Sequence, residues 1–96
     1  MTLRVIAHAR AKEGKRVELQ EVFEGLVDPT RAEPGNIGYE LLSSLDDERD
    51  FVFVEEWRDR DALDAHLESP HVRAASARLP ALLDGEVDLR SYRPIR

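Results

Sequence analysis

Apolar residues recur along this chain with two periods, and the changes of period mark its elements. Residues 3–11 (Leu-Arg-Val-Ile-Ala-His-Ala-Arg-Ala) are short, apolar and partly alternating, which predicts a strand, and Glu13-Gly14-Lys15 interrupts it. From Lys15 the apolar positions are Val17, Leu19, Val22, Phe23, Leu26 and Val27, at helical spacing, with Glu18, Glu21 and Glu24 on the opposite side. Pro29 predicts a kink or an end, with room for a last turn through Ala32, and Glu33-Pro34-Gly35-Asn36 is a turn. Residues 37–45 and 50–57 read as two strands of an antiparallel hairpin around Asp46-Asp47-Glu48-Arg49. Asp59 predicts an N-cap for a helix over 60–68. Ser69-Pro70 restarts a helix, with Ser at the cap and Pro in the first turn. That second helix is expected to reach about Leu83 with a bend at Pro80, to stop at Asp84-Gly85, and to lead into a last strand from Glu86 to Arg93.

The order is βαββααβ. With the right-handed crossover preference it points to an α+β, ferredoxin-like fold: a four-stranded antiparallel sheet with helices on one face. The third strand adds a constraint. In Phe51-Val52-Phe53-Val54 both parities are apolar, and in the first strand Val5 and Ala7 oppose Ile6. A sheet with one wet face alternates more cleanly. The face away from the helices is therefore expected to be covered by a second subunit, giving a homodimer packed sheet to sheet as a dimeric α/β barrel.

Size and charge narrow the function classes. A chain of 96 residues is one domain spanning 1–96. Twenty acids against fourteen bases give a net charge of −6, the wrong sign for nucleic-acid binding. Nothing approaches the ~20 apolar residues of a membrane span, and the N-terminus has no signal-peptide core, so a cytoplasmic location is expected. There is no cysteine, hence no thiolate nucleophile and no zinc-thiolate site. The five glycines are scattered, and no Gly-x-Ser-x-Gly elbow exists.

Three histidines, the aromatics and the carboxylates remain. His8 lies mid-strand and reads either as a core histidine with its nitrogens satisfied or as a site residue. His66 and His71 flank Ser69-Pro70 and read either as surface residues or as a pair at the junction of two helices. They lack a HExxH-type spacing, so no metal is expected. Phe51, Phe53, Glu55 and Trp57 share a parity. They read either as core with Glu55 at a frayed end, or as an apolar cavity with one ionisable group whose pKa burial would raise.

The run Thr30-Arg31-Ala32-Glu33-Pro34-Gly35-Asn36-Ile37-Gly38-Tyr39-Glu40-Leu41-Leu42 resembles the antibiotic-biosynthesis monooxygenase (ABM) family. So do Phe51-Val52-Phe53-Val54-Glu55-Glu56-Trp57 and the stretch from Ala62 to Val72 that includes His66, Pro70 and His71. The likeness extends from Val5 to Tyr92. It implies dimers of ferredoxin-like subunits with a cavity between sheet and helices. It also implies quinol monooxygenase-like chemistry that uses O2 on a small electron-rich aromatic, quinol or polyketide-like, without metal, flavin or haem. His66 or Glu55 would be the base, with His71 beside them, and Trp57, Phe53, Tyr39 and His8 would line the substrate. Haem-degrading relatives carry Asn, Trp and His where His8, His66 and Ser76 stand here. Polyketide-type members carry Asn at Phe53 and Tyr near Leu63. Two alternatives share the fold: an isomerase of a small phosphorylated metabolite, with Arg31 or Arg73 as candidate phosphate ligands, and a non-catalytic module that binds an aromatic ligand.

Overall fold

The computed structural model describes residues 2–96. Its elements are β1 (Leu3–Arg10), α1 (Arg16–Arg31), β2 (Asn36–Ser43), β3 (Asp50–Trp57), α2 (Arg60–Leu67), α3 (Pro70–Arg78), a 3-10 turn (Leu79–Ala81) and β4 (Asp88–Tyr92). All strand pairs are antiparallel and the sheet order is β2-β3-β1-β4, the ferredoxin-like arrangement. The sheet is open, with β2 and β4 as its edges, so one chain does not close a barrel. No helix among the described residues is long and apolar enough to cross a membrane.

Local chemistry sets the helix boundaries. Asp59 caps α2, its Oδ1 accepting from the Ala62 amide at 2.9 Å, and Ser69 caps α3 through the Val72 amide at 3.4 Å. α1 continues through Pro29 for a last turn that buries Thr30. α3 is shorter than its sequence suggests. Pro80 cannot donate the backbone bond that a longer helix needs there, and the chain tightens into the 3-10 turn instead. β4 is likewise trimmed at both ends relative to 86–93, and every one of its residues is exposed.

Strand register decides what faces the helices. Across β2, β3, β1 and β4 one rung runs Tyr39, Glu55, Val5, Ser91, and the next runs Leu41, Phe53, Ala7, Leu89. These residues share the helix side, where Leu19, Val22, Phe23 and Leu26 of α1 and Leu63 of α2 complete the core. The opposite face carries Ile6, Val52, Val54 and Leu42, with Arg4 paired to Glu56 at 2.9 Å and His8 Nε2 lying 2.6 Å from Asp50 Oδ1.

One glycine anchors the route from α1 to β2. Gly35 has φ +84°, and a Cβ there would stand 2.5 Å from the Ala62 Cβ at the start of α2. Its carbonyl accepts from the Arg58 amide at 2.8 Å, which clamps the turn onto the end of β3. Gly35→Ala is expected to cost about 2–4 kcal/mol, the sum of a disfavoured backbone region and an overlap with a packed methyl. Urea denaturation would register this as a lower midpoint with an unchanged slope; a midpoint equal to that of the parent chain would refute the constraint.

Candidate functional site

A cavity of about 190 Å³ lies between the sheet and the helices. Ala7 and Ala9 of β1, Phe53 and Glu55 of β3, Tyr39 of β2 and His66 of α2 form its inner wall, and Val72, Leu79, Val87 and Leu89 border its outer part. The register explains the space. Ala7 and Ala9 pair with Phe53 and Phe51, so β1 contributes only methyl groups where its neighbour contributes rings. Tyr39 stacks on Phe53 with ring centroids 4.8 Å apart, and Phe23 meets the same ring edge-on at 5.0 Å. A broader polar depression of about 500 Å³ lies at the hairpin end, and there Arg10 is already paired with Asp47 and Asp84.

Glu55 is 3 % exposed, a carboxyl group on an apolar wall. Its neighbour two residues on, Trp57, is fully buried and donates from Nε1 to Glu55 Oε1 at 2.8 Å. Burial pushes the Glu55 pKa up to about 7; the Trp57 hydrogen bond opposes this, and the nearby Glu33 charge adds to it. The carboxyl is thus poised between acid and base near neutral pH. Burial, reinforced by the Glu55 charge, drives the Tyr39 phenol far above its ordinary range, so Tyr39 stays a neutral wall residue.

The second feature is a carboxylate shared by two imidazoles. Glu33 Oε2 lies 2.7 Å from His66 Nδ1 and 2.8 Å from His71 Nε2. The turn held by Gly35 delivers Glu33 over the α2–α3 corner. Ser69 fixes that corner by donating from its hydroxyl to the His66 carbonyl at 2.6 Å. A carboxylate only accepts, so neutral His66 carries its proton on Nδ1 and leaves Nε2 as a lone-pair acceptor. The His66 side chain is 5 % exposed and packs against Trp57 and Tyr39, with ring centroids 4.7 and 5.6 Å away. The ring is held by one nitrogen, and among the described residues the other has no hydrogen-bond partner.

The residues expected from the sequence are distributed as follows. Glu55, His66, Tyr39 and Phe53 line the cavity. Trp57 stands behind them, touching Glu55 and His66. His71 reaches His66 through Glu33. His8 requires a correction: it shares the parity of Ile6, lies on the opposite face of the sheet, and contacts Asp50, outside the cavity. Glu33 was legible only as a turn residue. Its role depends on bringing together positions 33, 66 and 71, and no local pattern encodes that meeting. The ligand atoms of Glu33, His66 and His71 lie within 4.8 Å of one another, close enough together to hold a metal ion. The 2.7 and 2.8 Å contacts are hydrogen-bond lengths, shorter than the ~3.4 Å separating tetrahedral ligands on a common ion with bonds of ~2.1 Å.

The Glu55 shift has a consequence for stability. Its folded-state pKa, about 7, lies above the ordinary 4.5, so between those values the folded chain holds a proton that the unfolded chain has lost. Stability therefore falls as pH rises from about 4.5 to about 7, by up to ~3 kcal/mol from this group. Glu55→Gln is expected to remove that slope, so that the parent chain loses more stability than the variant between about pH 4.5 and pH 8. Urea titrations of both proteins at the two pH values test this, and parallel losses would count against the shift.

The sequence profile of the family described as "Antibiotic biosynthesis monooxygenase" matches residues 2–78. "Putative monooxygenase YcnE" of Bacillus subtilis is 34% identical over 83 residues, covering 86% of this chain and 87% of that protein. "Putative monooxygenase Rv0793" of Mycobacterium tuberculosis is 34% identical over 91 residues, covering 95% and 89%. The solved structure of Rv0793 superposes with a TM-score of 0.94 over 100% of this chain and 97% of that one. A Synechocystis relative, "Uncharacterized protein sll1783", is 29% identical over 89 residues, and the match spans only 60% of its length. A matched profile over most of the chain and relatives at 34% identity along nearly all of it place this protein in the antibiotic-biosynthesis monooxygenase family.

Proposed function

We propose that this chain is a cofactor-independent monooxygenase that oxidises a small electron-rich aromatic, a quinol or a polyketide-like phenol, with O2. The observation that carries the reading is the meeting, on one apolar cavity, of His66 oriented by Glu33 and Glu55 with its carboxyl poised near neutrality. His66 Nε2 removes the phenolic proton while Nδ1–H stays on Glu33. The electron-rich anion passes one electron to O2, and the two radicals join through a C–O bond to give a peroxide. Glu55 protonates the departing oxygen. For a quinol, one molecule of substrate and one of O2 give one hydroxyquinone and one water. The substrate supplies all four electrons, one oxygen atom enters the ring and the other leaves as water. The apolar wall excludes bulk water from the anion and the radicals.

A phosphorylated substrate fits this cavity poorly. No lysine or arginine lines it. Arg31 donates to the Tyr39 carbonyl at 3.0 Å, and Arg73 is an exposed residue 3.7 Å from Glu68. Oxygen uptake with a panel of hydroquinones and anthrones tests the proposal. His66→Ala is expected to reduce turnover ~10²–10⁴-fold, the usual share of a general base. Equal rates would remove His66 from the mechanism. No uptake from any phenol, with retained ligand binding, would favour a binding module.

The open sheet face supports a homodimer as the working assembly. Ile6, Val52, Val54 and Leu42 form an apolar centre flanked by the Arg4–Glu56 pair and by the His8–Asp50 contact. An obligate interface of this kind buries more than ~2,000 Å². Sedimentation at micromolar concentration is expected to give a species of twice the 11.0 kDa chain mass; a single-chain species would end the dimer proposal.

A further inference from the structure

The cavity is polar deep inside and apolar where it opens. Glu55 and His66 are 3 % and 4 % exposed, so its two ionisable groups lie away from water. Leu67, Val87 and Leu89 line the same cavity yet remain 41 %, 36 % and 40 % exposed, so they stand where it meets solvent. They come from the end of α2, the loop before β4 and β4 itself, and converge on this opening. Among the exposed lining residues only Ser76 is polar. Single exposed apolar residues are ordinary; several gathered on one opening mark a place where something apolar binds. The opening is not the face assigned to a second subunit. Leu89 pairs with Ala7 and shares its helix side, opposite Ile6, Val52 and Val54.

This polarity constrains the ligand. A ring that brings a hydroxyl to the buried ionisable groups sends its far side towards Leu67, Val87 and Leu89. An apolar substituent there covers side chains that now face water, and is itself covered. A charged substituent loses hydration against them, and no lysine or arginine lines the cavity to compensate an acidic one. Resting on the reading of this cavity as the substrate site, we infer that its substrate is a phenol or quinol carrying an apolar substituent, an alkyl chain or a further fused ring, that runs from the buried hydroxyl out over the mouth formed by Leu67, Val87 and Leu89. Because the cavity is open at that end, the substituent meets no wall, and an alkylated quinol and a fused polyketide ring both satisfy the arrangement. The mouth, and not Glu55 or His66, then grades ligands by substituent. A fully buried methylene is worth about 4-fold in affinity. At a mouth whose side chains stay partly in water about half of that surface is covered, which gives about 2-fold per methylene.

The test is isothermal titration calorimetry with phenol, 4-propylphenol and 4-pentylphenol, which carry the tail opposite the hydroxyl. Affinity is expected to rise at each step, with 4-pentylphenol binding about 10- to 50-fold more tightly than phenol. A tail of the same length with two ether oxygens, in 4-(2-methoxyethoxy)phenol, should bind at least about 5-fold more weakly than 4-pentylphenol. In Leu67→Ser/Leu89→Ser, with folding checked by circular dichroism, the ratio of 4-pentylphenol to phenol should fall below about 5-fold. Equal affinities along the series, affinity that falls with length, or binding of none overturns the inference. So does equal binding of the alkyl and ether tails, or a ratio that stays intact in the folded double variant. If that variant does not fold, the parent chain with the alkyl and ether tails decides the matter. The measurement is made without O2, so its failure is separable from that of the proposed chemistry. Tail-dependent binding with no oxygen uptake from any phenol would retire the monooxygenase and keep the ligand class. Oxygen uptake from hydroquinone with no tail dependence would do the reverse.

Discussion

A single carboxylate oxygen, Glu33 Oε2, holds two imidazole rings at hydrogen-bond distance, and the site depends on that shared acceptor. It joins three parts of the chain that have no other common element: the turn after α1, the end of α2 and the first turn of α3. In a largely buried setting an unserved carboxylate would be expensive, and so would an unserved imidazole. The two needs cancel only in this arrangement. The same contact that stabilises the corner also chooses the His66 tautomer, so packing and chemistry are one decision. Gly35 is the geometric precondition, because only a residue without a side chain lets the turn approach Ala62 closely enough.

Glu55 works by the opposite logic. Its surroundings oppose ionisation, and a single indole donor moderates rather than cancels that pressure. Two carboxylates thus occupy neighbouring sites with different environments: Glu33 meets donors from two rings, and Glu55 meets one donor and an apolar wall. The same residue type thus serves as a shared acceptor at one position and resists ionisation at the other.

Much of the fold could be read from the chain because its signals are local. The short apolar runs of β1 and β3, the caps Asp59 and Ser69, and the glycine-bearing turns each depend on a few neighbouring residues, and each lies where they indicated. The helix after Ser69 falls short of its expected length because Pro80 ends it outright where only a bend was expected. The site was less legible. Parity placed Glu55 and Trp57 together, since strand geometry makes that a two-residue rule. The family resemblance points His8 to the cavity, yet its parity matches Ile6 and it takes the other face; an apolar context alone does not tell which face a strand residue takes. Glu33 escapes sequence reasoning for a different reason. Its partners are 33 and 38 positions away, and a lone acid in a turn carries no trace of them.

The cavity is made by what β1 lacks. Ala7 and Ala9 stand opposite Phe53 and Phe51, and the room comes from the difference in side-chain volume across those two rungs. The ionisable groups Glu55 and His66 sit elsewhere, on β3 and α2. Pocket capacity and reactivity are therefore written in separate parts of the sequence. Exchanging the small residues on β1 would therefore resize the pocket and leave Glu55 and His66 where they are.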